Sequence, residues 1–346
     1  MGEIMSKTVL SGLNIAEIEK LLEPLKASKF RAKQIQNWIY LKSVTSIDEM
    51  TDLSLKFREE LKEIATVTNT KIKKKQVSKD GTLKYLVEYS DGECVETVLM
   101  RFDNRANLTA CVSSQVGCAV NCSFCATGKR GFIRNLTASE IVEQVLTIQR
   151  DTGLKVTNVV FMGQGEPLLN LENVLQAIEI LNTSCQIGAR RITVSTSGIA
   201  PKVAEFAKNN TQSTLAWSLH APINSIRDKI MPINKKYPIE EMKKALGKYF
   251  EIAGRRVTIE YLLIKDLTDT LECAKALVEL LKGIKCNINL IPYNPVVENY
   301  YKKPSNNAIM KFKYILEHSG KKVTVRLERG ADIDAACGQL RGKVEQ

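Results

Sequence analysis

The 346-residue chain has only two histidines, His220 and His318, and they lie far apart. That scarcity argues against a structural zinc site, which closes a tetrahedron with four Cys or His ligands. No apolar run approaches the roughly 20 residues of a membrane-spanning helix, so the chain reads as soluble, with no membrane partner. Met1-Gly2-Glu3-Ile4-Met5-Ser6 fits the loose N-myristoylation pattern, but no second membrane signal stands beside it, and the match reads as coincidence. Nine cysteines are an odd number for a disulfide framework, and the N-terminal stretch does not read as a secretory signal. A reducing cytoplasm is the expected compartment.

What is present points elsewhere. An apolar content of 44% supports a large core, and the length suggests about two domains. Fifty Lys plus Arg against 38 Asp plus Glu leave a net charge of +12, which favours a polyanionic partner. The cations cluster. Lys71, Lys73, Lys74 and Lys75 form one run, and Lys26, Lys29, Arg31 and Lys33 lie near Trp38 and Tyr40, a basic and aromatic mixture suited to nucleic acid.

Residues 1–72 read as a small helical, RNA-binding accessory domain, with amphipathic helices over Asn14–Leu25, Arg31–Leu41 and Ser46–Ile64. Residues 73–106 read as a connecting β segment, the pattern turning from Gln76 to strands around the Asp80-Gly81 and Asp91-Gly92 turns. Residues 107–346 alternate. Strand-like runs at 108–114, 157–163, 191–197, 214–220, 257–264 and 288–294 are separated or followed by helical runs at 137–152, 171–181, 202–208, 239–253, 270–281 and 306–319. Thr137 and Glu140 form a capping box at the first of these helices. Six β/α units in about 210 residues predict an α/β fold: a partial, open TIM-like barrel, too short to close as eight units, with chemistry at the C-terminal ends of the strands.

The unusual residues fall at those ends. GCAVNCSFCATG, residues 117–128, carries Cys118, Cys122 and Cys125 in the spacing C-x3-C-x2-C. With zinc lacking a fourth ligand and a disulfide set disfavoured, an iron–sulfur cluster remains, and three thiolates on four irons leave one iron open. The turn GQGEP, 163–167, follows the second strand; Gly165 and its neighbour glycine let backbone approach a ligand, and Glu166 can accept hydrogen bonds from an ammonium group. Ser197, the stretch Ser218-Leu219-His220, and Asn294 end later strands, supplying groups suited to a ribose, a carboxylate and an adenine edge. Cys337, in GADIDAACGQL, and Cys111, seven residues before Cys118, stand apart from the remaining thiols, Cys94, Cys185, Cys273 and Cys286, to which no role is given.

The cysteine spacing, with Phe124 before the last cysteine, resembles the signature of radical S-adenosylmethionine (SAM) enzymes. CVSSQVGCAVNCSFCATG, FMGQGEPLLN, STSGI, SLHAP, MPIN, IPYNP and GADIDAACGQL, in this order, resemble the RlmN family of 23S rRNA and tRNA adenine C2-methyltransferases. The resemblance implies a [4Fe-4S] cluster on Cys118, Cys122 and Cys125, and two SAM per turnover. It places SAM contacts at Gly165, Glu166, Ser197, Ser218, Leu219, His220 and Asn294. It implies that Cys337 carries a transferable methyl group, that Cys111 closes a disulfide with Cys337 on product release, and that Glu96 is the base. The implied partners are 23S rRNA, tRNA and an electron donor of the flavodoxin type, with the enzyme acting as a monomer. The rival readings are the related Cfr-like C8 methyltransferase, a radical SAM enzyme acting on protein, and a non-catalytic RNA-binding protein stapled by a metal.

Overall fold

The computed structural model describes residues 7–102, 105–296 and 300–341. The N-terminal part is helical: β1 (Thr8–Val9), α1 (Ile15–Leu21), α2 (Lys29–Tyr40), α3 (Leu55–Ile64) and β2 (Ala65–Thr66), with β1 and β2 pairing in parallel. The first helix is shorter than expected. Asn14 and Glu17 cap its start, but Pro24 cannot donate a helical hydrogen bond, so the chain tightens into a 3-10 turn over Glu23–Leu25 that ends at left-handed Lys26. The expected 46–64 helix likewise divides, into a 3-10 turn over Ile47–Glu49 and α3, each with its own serine cap.

Three antiparallel strands follow, β3 (Lys71–Val77), β4 (Leu83–Glu88) and β5 (Cys94–Phe102), turning at Gly81 and Gly92, both of positive φ. They are not a separate connector, because β5 pairs with β6 (Arg105–Cys111), the first barrel strand, and one ten-stranded sheet results. The lysine run is its outer edge strand. Lys73 pairs with Glu88 at 2.6 Å and Lys75 with Asp151, so two of its four charges are already matched.

After β6 come a short antiparallel pair, β7 (Gln115–Gly117) and β8 (Phe132–Asn135), with α4 (Ala126–Arg130) between them. The chain then alternates α5 (Ala138–Thr152), β9 (Asn158–Phe161), α6 (Leu171–Thr183), β10 (Ile192–Thr196), α7 (Ala200–Asn209) and β11 (Thr214–Ser218). It continues with α8 (Asn224–Ile230), α9 (Ile239–Ala253), β12 (Val257–Leu263), α10 (Leu271–Leu280), β13 (Cys286–Pro292), α11 (Asn306–His318) and β14 (Lys322–Val325). Strands β6 and β9 to β14 are parallel and in sequence order, so six β/α units end on a seventh strand. Sequence periodicity does not reveal β14: it is four residues long, begins with an exposed lysine and buries only Val323.

Apolar faces of the helices close over the sheet. Ile141, Val142, Val145, Leu146 and Ile148 of α5 are buried, and α5 opens with the Thr137–Glu140 capping box. The N-terminal part packs on α5 and α6. Ser11 meets Ser139 at 3.2 Å, Gln36 donates to Ser184 at 2.9 Å, and Arg150 donates to the Ser43 carbonyl at 3.1 Å. Among the described residues, no helix is long and apolar enough to cross a membrane.

Candidate active site

The cysteine loop runs between β7 and β8. Gly117 is required there: its φ is +74°, and a Cβ would lie 1.8 Å from the Gly131 carbonyl oxygen that the Cys118 N–H uses at 2.9 Å. The loop turns Cys118, Cys122 and Cys125 onto one cleft of about 940 Å³ at the C-terminal ends of the barrel strands. Burial pushes the Cys118 thiol up to about 12 and the Cys122 thiol well above its usual range, with the other cluster thiols adding to the effect. Such thiols ionise only against a strong positive charge, which bound metal supplies. Among the described residues, no three Cys, His, Asp or Glu side chains converge on one point. Three thiols facing a common cleft are the donor set that an iron–sulfur cluster takes.

The rest of the cleft suits a small polar ligand. Gly165, at φ +99°, passes so close to Gln115 that a Cβ would lie 2.6 Å from that side chain. The Ser197 hydroxyl, one Glu260 oxygen and the Tyr293 hydroxyl line the cleft buried and without a hydrogen-bond partner in the protein, and orphaned buried polar atoms are costly unless a ligand meets them. Ser218 also lines the cleft, with its hydroxyl 3.0 Å from that of Ser195. His220 lies edge-on to Phe124 with centroids 5.1 Å apart. Burial, then the neighbouring Arg227, lowers His220 to about 3. Its Nδ1 accepts from the Leu262 N–H at 3.1 Å, so the neutral ring carries its proton on Nε2.

Two expected contacts are placed differently. Both oxygens of Glu166 are engaged by backbone, from the Leu168 N–H at 3.0 Å and the Ser197 N–H at 2.6 Å, so its carboxylate ties two strand-end loops together. Leu219 points into the hydrophobic core, and its carbonyl accepts from Arg227.

A second cavity, of about 750 Å³, shares Cys125, Met162, Arg326 and Cys337 with the first and adds Cys111 and Asn294. All nine cysteines are free, Cys111 and Cys337 included. Cys111 ends β6. Cys337 is carried by the C-terminal loop, which is fastened to the cluster loop by the Ala126 N–H on the Gly338 carbonyl at 2.8 Å and the Thr127 hydroxyl on the Leu340 carbonyl at 2.7 Å. Asn294 donates to the Cys337 carbonyl at 3.3 Å. Burial, and then Cys337, pushes the Cys111 thiol up to about 12, whereas the Arg326 guanidinium lowers it.

The Radical SAM superfamily model matches residues 112–281, and the ribosomal RNA large subunit methyltransferase N-terminal domain matches residues 8–67. The chain is 48% identical to the probable dual-specificity RNA methyltransferase RlmN of Thermoanaerobacter sp. (strain X514), over 96% of this chain and 98% of that one. It is 45% identical to the dual-specificity RNA methyltransferase RlmN of Pseudomonas entomophila (strain L48), covering 98% and 91%. The chain belongs to the RlmN family. A crystal structure of a radical SAM methyltransferase from Sphaerobacter thermophilus superposes with a TM-score of 0.93 at 42% identity, over 97% of this chain and all of that one.

Within this RlmN-type framework, Glu96 lies outside both cavities that hold the cysteines. It is buried on β5, 2.9 Å from Lys84 Nζ, and its other oxygen accepts the Arg341 N–H. Two arginines that sequence reasoning passed over complete the site. Arg227 is 1% exposed and donates to the carbonyls of Ser197, Ser218 and Leu219 and to Asn234. Arg326 follows β14, contacts Met162 Sδ at 3.6 Å and lies 3.8 Å from Glu260. The one sequence clue to Arg227 is Asn234 in the MPIN stretch, which accepts from it at 2.7 Å.

Proposed function

We propose that this protein is a radical SAM methyltransferase that places a methyl group on C2 of an adenine in 23S rRNA and tRNA, by way of a methylated Cys337. The observation that carries this reading is the cavity shared by two free thiols, Cys111 and Cys337, which opens onto the cleft lined by the cysteine trio. Adenine C2 is a ring carbon with no lone pair to attack the methyl group of SAM, so polar transfer straight to it has no nucleophile.

The cluster and SAM, held by the cysteine trio and the cleft, supply a one-electron cleavage whose radical activates the methyl group on Cys337. The chain's own residues do the remainder. The Cys337 thiolate first takes a methyl group from one SAM by displacement, with S-adenosylhomocysteine leaving and Arg326 as the nearby cation. After the activated methyl carbon bonds to C2, the adduct gives up one electron to the oxidised form of the flavodoxin-type carrier, and Glu96 takes the C2 proton. The Cys111 thiolate then attacks the Cys337 sulfur. The electron pair of the broken S–C bond goes to carbon, which takes a proton and becomes the methyl group, and the two sulfurs leave as a disulfide that a cellular dithiol reduces.

The target base must leave its stack to enter a barrel mouth. Phosphate contacts fall to the exposed cations of the N-terminal part, so affinity weakens with salt. Trp38 is less open to stacking than its position suggests, since Lys42 Nζ sits 3.2 Å above its ring and its indole N–H donates to Asp52. The enzyme works as a cytoplasmic monomer fed by a flavodoxin-type reductant. The deciding variant is Cys111→Ala: a covalent protein–RNA adduct through Cys337 accumulates on a denaturing gel, and clean turnover would overturn the scheme. Mass spectrometry of the product nucleoside separates C2 from C8.

A further inference from the structure

Lys84 and Glu96 form an ion pair in which each side chain is only 7% exposed. They sit on neighbouring strands, β4 and β5, where Lys84 is opposite Val98 and Leu86 is opposite Glu96; the pair is a diagonal on one face of the sheet. Taking two charges out of water costs several kcal/mol per ion unless further hydrogen bonds hold them. Two such bonds come from the loop that carries Cys337. Lys84 Nζ donates to the Asp334 carbonyl at 3.2 Å, and the Arg341 N–H donates to the second Glu96 oxygen.

Side chains two apart on a strand share a face, and Val98 and Met100, on the face of Glu96, line the cavity of Cys111 and Cys337. The carboxylate is therefore the next group outward from that cavity, with Leu340 packed against Val98 and Cys111 between them. For Glu96 to meet a substrate carbon, the Leu340–Arg341 segment must give way, and its backbone bond to Glu96 is lost. The bond to Lys84 comes from the sheet and does not depend on that segment.

We propose that Lys84 is a positioning residue, which keeps the Glu96 carboxylate on the thiol face of the sheet, so that it takes the C2 proton once the RNA adduct has displaced the C-terminal segment. This rests on the assignment of Glu96 as the base. The alternative is that Lys84 only anchors the Cys337 loop through Asp334, and the two make different predictions.

The test follows three stages in anaerobically reconstituted enzyme with a 23S rRNA fragment: methylation of Cys337, formation of the protein–RNA adduct, and release of product. Lys84→Met is expected to methylate Cys337 and form adduct at rates within about twofold of wild type, and to release product at least about tenfold more slowly. Lys84→Arg restores release to within about threefold. The double variant with Glu96→Gln removes both charges of the pair and is no slower than Glu96→Gln alone, because both changes act on one step. Should Lys84→Met fail to fold, that double variant still decides the question: release slower than in Glu96→Gln overturns the proposal. Wild-type release by Lys84→Met, or a defect already at Cys337 methylation, overturns it too. Wild-type release by Glu96→Gln instead removes the base assignment, and this proposal with it.

Discussion

Two sets of thiols face the barrel mouth, and each has one arginine beside it, Arg227 buried and Arg326 about a quarter exposed. The arginines behave in opposite ways. Arg227, next to the cluster cysteines, spends its guanidinium on three backbone carbonyls and Asn234; burial lowers it to about 10, with Cys122 and Asp228 opposing the fall. Among the described residues, Arg326 has only the Met162 sulfur and, at 3.8 Å, Glu260 as side-chain partners, and it is raised, first by Cys337 and further by Glu260 and Cys111, against the effect of burial. A guanidinium occupied by carbonyls has little left for a neighbouring thiolate; one facing thiols directly stabilises them. The cysteine trio is thus left for metal to neutralise, whereas at the second set Arg326 works against the burial that holds the Cys111 thiol high.

The widest separation of the two sets comes from the cysteines themselves. Cys122→Ala is expected to lose cluster iron and all deoxyadenosine formation, whereas Cys337→Ala keeps full iron and sulfide and loses only methyl transfer; equal iron loss in both would erase the distinction. A smaller contrast lies between the arginines. Arg326→Gln slows methylation of Cys337 at neutral pH by about 10- to 100-fold with iron content unchanged. Arg227→Gln removes the guanidinium that three backbone carbonyls and Asn234 share and costs about 3–5 kcal/mol of stability by denaturant melt. The smallest effect concerns His220. Its folded value of about 3 lies below the ordinary 6.5, so below pH 6.5 the unfolded chain takes a proton that the folded one refuses. Stability is complete above pH 6.5 and falls by about 1.4 kcal/mol per pH unit toward pH 3. His220→Gln removes that slope, closing about 2 kcal/mol of the difference between pH 7 and pH 5.

The cysteine trio could be read from the chain because its spacing is local, and a C-x3-C-x2-C loop means the same thing wherever the barrel puts it. The alternation that places it after the first strand was equally plain, as was the Thr137–Glu140 cap. The arginines were hidden for a physical reason. In NSIRDKI, Arg227 sits among charged and polar neighbours and looks like the solvent face of a helix, yet the helix turns it inward to carbonyls of loops far along the chain. Arg326 depends on β14, too short and too polar to show a period. The Lys84–Glu96 pair is invisible for a different reason: alternation makes both residues look like the solvent side of a strand, and only the Cys337 loop lying across that face buries them.

That loop has one more consequence. It holds to the β3–β4 turn through Asp80 on the Gly330 N–H and Asp332 on Ser78 and Lys79, contacts that join residues about 250 positions apart, while the barrel's own pairings run between successive units. The segment that carries Cys337 is thus secured by single side-chain and backbone bonds to the sheet's outer strands and to the cysteine loop, not by a strand ladder of its own.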